Sequence, residues 1–304
     1  MIGVVAQDAG GAEIVSSHLR RNGLKFACHL DGEAKGIFAR KLGPVDNISL
    51  QSLVETCDSL LCGTSVGDLE WQALRLARQA GKRTVAMIDH WVHYRERFFR
   101  HGEYCFPDEV WVGDEIGLRL ASAELPEVPA KLVPNPYFLD LRDELKEIAV
   151  PARRDFTGIQ ILYMCDPLRG NGIAIYGDER HWGYTEEDAL RYFLENVGCI
   201  SMKIGRIVVR AHPKERRDKY DWARKEFDLP IVTDEDKTLL QQVAASDVVS
   251  GCATMAMVVG LIAGKRVVSC IPQGGRTIPL PHAEIEDIHQ LMSAPAKLAL
   301  ETGP

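Results

Sequence analysis

No CxxC pair occurs in this 304-residue chain, although it holds eight cysteines. No regular histidine spacing accompanies them, so a structural zinc site is set aside, the close pair Cys57 and Cys62 included. Cys28, Cys57, Cys62, Cys105, Cys165, Cys199, Cys252 and Cys270 lie mostly in apolar runs and read as reduced core residues. A basic run is also missing: 36 Lys and Arg against 43 Asp and Glu give a net charge of −7. The isoelectric point near 5.8 agrees, and nucleic acid is excluded as the main partner. No apolar stretch reaches the roughly 18 residues needed to cross a bilayer. The first residues enter an apolar strand without the charged region and cleavage site of a secretory signal, so a cytoplasmic location is expected. Fixed-period repeats and low-complexity tracts are absent as well.

What is present is enough apolar material, 46% of residues, to fill two modest cores. The opening MIGVVAQDAGGAEIVSSHLRRNG reads as strand, small-residue loop and amphipathic helix stopped at Gly23. FACHL, DSLLCGTS, KRTVAMIDHW and EVWVG supply further strands, with a helix in DLEWQALRLARQAG and another after EVWVG. AKLVPNPYF closes this half with a strand and two prolines. The stretch LRDELKEIAVPARRDFTG is charged and lacks a long apolar strand, so the linker is placed at 141–157, between domains 1–140 and 158–304. Alternation resumes with strands in IQILYMCD, GRIVVRAHP, LPIVTD, DVVSG and KRVVSCI, separated by helical EDALRYFLENVG, WARKEF, KTLLQQVAAS and TMAMVVGLIAG. Asp234 or Asp236 is placed to cap the helix in KTLLQQVAAS. Strands separated by helices predict parallel sheets covered on both faces. The expected class is α/β, with two Rossmann-like domains facing across a cleft.

Ligands of open parallel sheets bind beyond the carboxyl ends of the strands, which directs attention to four strand ends. In AQDAGGAEI, Gly10 and Gly11 permit close backbone approach, flanked by Asp8 and Glu13; this is not the GxGxxG dinucleotide pattern, and a tight turn capped by Asp8 explains it equally. In MIDHWVHYRERF, Asp89, His90, His93, Arg95 and Arg97 crowd together with Trp91 and Tyr94. Such a cluster is costly to bury without partners, which favours a ligand site over a packed helix with a wet basic face. His90 and His93 could share a helical face toward a metal, but no third ligand is evident, and no metal is assigned. VVRAHPKE ends a strand in Arg210, His212, Pro213 and Lys214, a phosphate-binding or proton-donating set, or a plain surface turn. In VVSGCATMAMVV, Ser250, Gly251 and Thr254 stand where hydroxyls and helix N–H groups suit a phosphate oxygen, with simple capping by Thr254 as the alternative. Gly274, Gly275 and Arg276 follow the next strand and could close over an anion or form an ordinary loop. TDEDK looks like a metal-holding acidic triplet, but its place before a helix is better explained by capping.

The order of these features resembles the GT-B class of nucleotide-sugar enzymes over nearly the whole chain. The C-terminal half is similar to bacterial capsule and lipopolysaccharide enzymes, including sialyl-, polysialyl- and CDP-glycerol transferases, which carry an HP motif followed by a Ser/Thr motif. Here those are His212-Pro213 and Ser250 to Thr254. The resemblance implies a metal-independent glycosyltransferase that moves a sugar from a CMP-, CDP- or UDP-linked donor to a cell-surface polysaccharide, with no tightly bound cofactor. It implies a glycan or lipid-linked acceptor, a peripheral place at the inner membrane, an acceptor-side N-terminal domain and a donor-side C-terminal one. By the same resemblance Asp8 is the base, with Glu13 in reserve, and His212 meets the donor phosphate and acts as acid. Arg210, Lys214, Ser250, Gly251, Thr254, Gly275 and Arg276 hold the phosphate; Gly10, Gly11, Asp89, His90 and Arg95 line the acceptor side. One departure stands out: many relatives place a ribose-binding glutamate four residues after the Thr, and this chain has Val258. A nucleotide-sugar hydrolase or 2-epimerase of the same fold, and a non-catalytic sugar-nucleotide-binding protein, are the alternatives.

Overall fold

A computed structural model describes residues 1–149, 155–233 and 236–293. It divides into two compact units, Met1–Asp140 and Leu141–Pro304.

The first unit runs β1 (Ile2–Ala6), α1 (Ala9–Asn22), β2 (Phe26–Leu30), α2 (Ala34–Leu42), α3 (Leu50–Thr56), β3 (Ser59–Cys62), α4 (Leu69–Gln79) and β4 (Arg83–Ile88). It continues with the short hairpin β5 (Phe99–Arg100) and β6 (Glu103–Tyr104), then β7 (Glu109–Val112), α5 (Glu115–Glu124), β8 (Ala130–Leu132) and α6 (Pro136–Glu147). The main sheet is parallel throughout, in the order β2-β1-β3-β4-β7-β8. Its strands are nearly continuous apolar runs because both faces are covered. Val4, Ala6 and Leu61 face α1 and α2 on one side, while Val5, Leu60, Ala86 and Val110 pack with Leu53, Trp71 and Leu74 on the other.

The second unit repeats the scheme: β9 (Ile159–Met164), α7 (Leu168–Tyr176), α8 (Glu186–Asn196), β10 (Ile204–Arg210), α9 (Ala223–Glu226), β11 (Ile231–Val232), α10 (Leu239–Ala245) and β12 (Val248–Gly251). It ends with α11 (Met255–Ile262), β13 (Arg266–Ser269), β14 (Ile285–Asp287) and α12 (Ile288–Ser293). The sheet is again parallel, ordered β11-β10-β9-β12-β13-β14. Tyr163 stacks on Phe193 in its core at 4.6 Å between ring centroids. Each sheet therefore reverses its direction of growth once, beside the first strand of its unit, at β1/β3 and at β9/β12.

Within the stretch expected as linker, α6 runs as helix to Glu147. The cap expected from Asp234 or Asp236 is corrected. Thr238 caps α10, accepting from the N–H of Gln241, whose side chain accepts the Thr238 N–H in return. That reciprocal pair makes Thr238 the cap of α10 in place of Asp236; Asp234 itself lies outside the described residues. The eight cysteines are all free thiols, and all but Cys199 are buried.

Candidate functional site

Asp8 follows β1 and Thr64 follows β3, which puts both at the point where the first sheet reverses, the position that open α/β sheets use for ligands. The loops meet glycine to glycine: a Cβ on Gly63 would lie 2.8 Å from the Gly11 Cα, so neither position has room for a side chain. Gly10 meets a side chain instead, since a Cβ there would overlap Asp89 Oδ2 from the loop after β4 and displace that carboxylate. Three strand ends thus bring Asp8, Thr64 and Asp89 together.

The charges at this rim are unequal. Arg97 Nη1 donates to Asp89 Oδ1 at 2.9 Å and to Thr64 Oγ1 at 2.7 Å. Asp8 caps α1 by accepting from the Gly11 N–H at 2.9 Å. Burial pushes the Asp8 carboxyl up to about 7, and the Asp89 and Glu70 charges add to the rise against the pull of the Gly11 N–H and of Arg97. Behind it, buried Glu70 accepts from the Gln7 N–H at 2.9 Å and the Ser65 hydroxyl at 2.6 Å, and burial raises its carboxyl too. Arg100 ties the loop after β3 in place through the Ser65 and Gly67 carbonyls. A carboxyl poised near neutrality in a rim of fixed hydrogen bonds is suited to accept and return a proton.

Several residues expected at this rim are elsewhere. Glu13 is turned along α1 into ion pairs with Arg40 and Lys41, which occupy its carboxylate and remove it as a reserve base. Arg95 pairs with Glu127 at 2.7 Å and lies over the Tyr104 and Phe106 rings, an outward structural role rather than an acceptor contact. His90 and His93 share no helical face: the segment after β4 is irregular, and His93 has a left-handed φ of 59°. The His90 ring accepts from the Trp91 N–H, edge-on to an indole whose own N–H is held by Asp114.

The second unit builds its rim at the β9/β12 reversal. Asp166 lies just past β9 near Thr254 and Ala253, whose polar groups favour its charged form. Burial raises its carboxyl to about 6, with Glu215 and Glu186 contributing. Thr254 also caps α11 through the Ala256 N–H at 3.3 Å. Beside it, His212 donates its N–H to Glu215 Oε2 at 3.0 Å and accepts the Lys214 N–H on Nδ1 at 3.2 Å, which leaves the ring proton of a neutral imidazole on Nε2. Glu215 is held by the Tyr220 hydroxyl and by Lys219, which also pairs with Glu186. Glu215 of the HP turn adds to the rise at Asp166, so the two turns lie within electrostatic reach of each other.

Two concavities flank the HP turn. One, of about 330 Å³, is lined by Arg210, His212, Arg217, Thr233, Lys237 and Gln242. The other, of about 720 Å³, has Pro167, Ile173 and the stem of Arg169 along its wall, with Lys214, Lys219 and Glu186 around it. Arg210 is committed to the Lys237 carbonyl and to Gln242 Oε1 at 2.6 Å. Ser250 requires a correction: it is fully buried in β12, its hydroxyl bonded to the Val268 carbonyl at 3.0 Å and in contact with Cys270 Sγ, so no phosphate reaches it. Gly251 is there for packing, since a Cβ would lie 3.0 Å from the Met164 carbonyl oxygen. Gly275 packs beneath Tyr184, and the Arg276 N–H donates to the Trp182 carbonyl, joining the loop after β13 to the segment before α8. Among the described residues no group of three or more His, Cys, Asp or Glu could hold a metal ion.

No protein-family model and no curated sequence matches the chain. Solved structures do. The chain is similar to MurG of Acinetobacter baumannii with a TM-score of 0.51 at 12% identity, over 93% of this chain and 79% of that one. UDP-GlcNAc 2-epimerase from Methanocaldococcus jannaschii gives 0.53 at 10% identity, over 88% and 83%. A putative UDP-N-acetylglucosamine 2-epimerase from Listeria monocytogenes gives 0.55 at 13%, over 88% and 78%. The chain has the GT-B fold. Within that fold, Asp8 and Asp166 hold equivalent places, each just beyond the first strand of its unit. Asp166 was absent from the sequence reading although IQILYMCD was taken as a strand; the signal was its position at the end of a unit's first strand. Thr64, Ser65 and Glu70 were passed over for a different reason, since GTS reads as an ordinary turn until β3 is known to lie beside β1.

Proposed function

We propose that this GT-B chain is a glycosyltransferase that moves a sugar or related group from a nucleotide-activated donor to a polysaccharide or lipid-linked glycan acceptor. Asp8 carries the reading: a carboxyl held near neutrality at the reversal point of the first sheet is matched to removing a hydroxyl proton. In the step, the acceptor O–H proton passes to Asp8 and its electron pair forms the new bond to the anomeric carbon. The bond from that carbon to the donor's phosphate oxygen breaks, and its pair departs with the nucleotide. His212, Thr254 and Lys214 stabilise the departing phosphate, with Asp166 rather than Ser250 beside Thr254. The donor is a CMP-, CDP- or UDP-linked sugar, the work is done in the cytoplasm beside the inner membrane, and neither a metal nor a bound cofactor is needed.

A second reading, epimerisation or hydrolysis of the donor itself, draws support from the closeness of two carboxylates, Asp8 and Asp89, which could act as an acid and base pair. Nucleotide release measured together with the identity of the sugar product, on a panel of donor sugars, separates the two. A transferase turns over only with a glycan acceptor present and loses turnover as Asp8→Asn. Full turnover in water alone contradicts the first reading and supports the second. Binding without any turnover contradicts both.

A further inference from the structure

Two carboxylates in close approach cannot both ionise cheaply, so one of them retains a proton into the neutral range. Which one does so at the first rim is decided by what else touches each. Asp89 lies against Gly10 and takes a charge-assisted bond from Arg97 at 2.9 Å. Arg97 is itself anchored at Thr64 Oγ1 and, through Nε, at the Val92 carbonyl 3.3 Å away, and its side chain is 13% exposed. Asp8 has the Gly11 N–H as its hydrogen-bond donor and, among the described residues, no cation bonded to it. The other charges facing the pair are Glu70 from α4 and, beyond it, Arg100. His90 follows Asp89 in the chain with its ring turned to Trp91, and Glu13 on α1 is turned to Arg40 and Lys41.

We propose that Arg97 is a positioning residue that sets the order of ionisation in the pair: it clamps Asp89 as a standing carboxylate, so that Asp8 alone carries the exchangeable proton. Arg97 has no part in bond making. A single guanidinium nitrogen, Nη1, holds Asp89 and Thr64 at once, which fixes one negative charge beside Asp8 and ties the rims of β3 and β4 together. The inference rests on reading Asp8 as the base, but its test needs no substrate, so the two can fail separately.

The test is a carboxyl-carbon NMR titration of the unliganded full chain labelled at aspartate, with signals assigned by Asp8→Asn and Asp89→Asn. In the wild type the neutral-range step is expected on the Asp8 signal. In Arg97→Gln the retained proton should be shared, so that both signals move through the same two steps, and Arg97→Lys, which keeps the charge, should restore the separation. A wild-type chain in which Asp89 takes the neutral-range proton, or an Arg97→Gln variant with the wild-type pattern, overturns the proposal. Should Arg97→Gln not fold, the near-isosteric Asp89→Asn decides: the Asp8 midpoint should fall by about one pH unit as the neighbouring charge is lost. An unchanged midpoint contradicts the proposal.

Discussion

Asp8 does two jobs that separate under substitution. As the cap of α1 it accepts from the Gly11 N–H, a role that asparagine fills nearly as well. As a buried carboxyl raised to about 7 from an ordinary 3.8, it binds its proton more tightly folded than unfolded. Stability on its account is therefore greatest at acid pH and falls as the pH climbs through that window. Asp8→Asn should abolish turnover and leave the melting temperature unchanged at about pH 4, yet raise it at about pH 8, where the wild type holds a buried charge. A melting temperature lowered at the alkaline end would contradict this. Ser250 makes the opposite case: Ser250→Ala should cost about 1 kcal/mol in denaturant unfolding through the lost bond to Val268. Nucleotide affinity should be unaffected. A weakened affinity without loss of stability would return Ser250 to the site. The sequence made Asp8 legible, because a carboxylate and two glycines after an apolar strand are a local pattern. Ser250 was misread because its burial depends on β13, which is distant in the chain.

At the scale of elements, most strands and the helices α1, α4, α5, α8, α9, α10 and α11 were readable since apolar runs and amphipathic periods are local signals, whereas α6 fell in the stretch read as linker and β14 and α12 were not recognised. The helices α2, α3 and α7 and the hairpin β5–β6 were not recognised. They are short and take their stability from packing, as Leu53 of α3 does against the first core and Tyr104 against Phe99 at 4.7 Å. Strand order was unreadable for the same reason, and with it the contact between the β1 and β3 loops. That contact makes Gly10 and Gly63 sensitive positions. Gly10→Ala suits a helix start but drives a methyl into Asp89, so melting should change little while turnover is lost. Gly63→Ala presses on the Gly11 backbone and should destabilise by about 1–3 kcal/mol. A Gly10→Ala protein with wild-type turnover would show that Asp89 does not need its place beside α1.

For the whole molecule, the repeated plan of two parallel sheets was legible from alternating strands and helices, and the shared fold with MurG and the 2-epimerases places this chain among architectures built twice from one pattern. Fold alone does not name a reaction; the chemistry has to come from the rims, where Asp8 and Asp166 each stand beyond a first strand with a raised proton affinity. The most direct test is calorimetric titration of the full chain with CMP, CDP, UDP, GDP and ADP. One pyrimidine nucleotide is expected to bind, with affinity reduced at least tenfold, about 1.4 kcal/mol, in His212→Ala and in Thr254→Val. If none of the five binds the wild type, the second unit is not a nucleotide site and the transferase account is wrong.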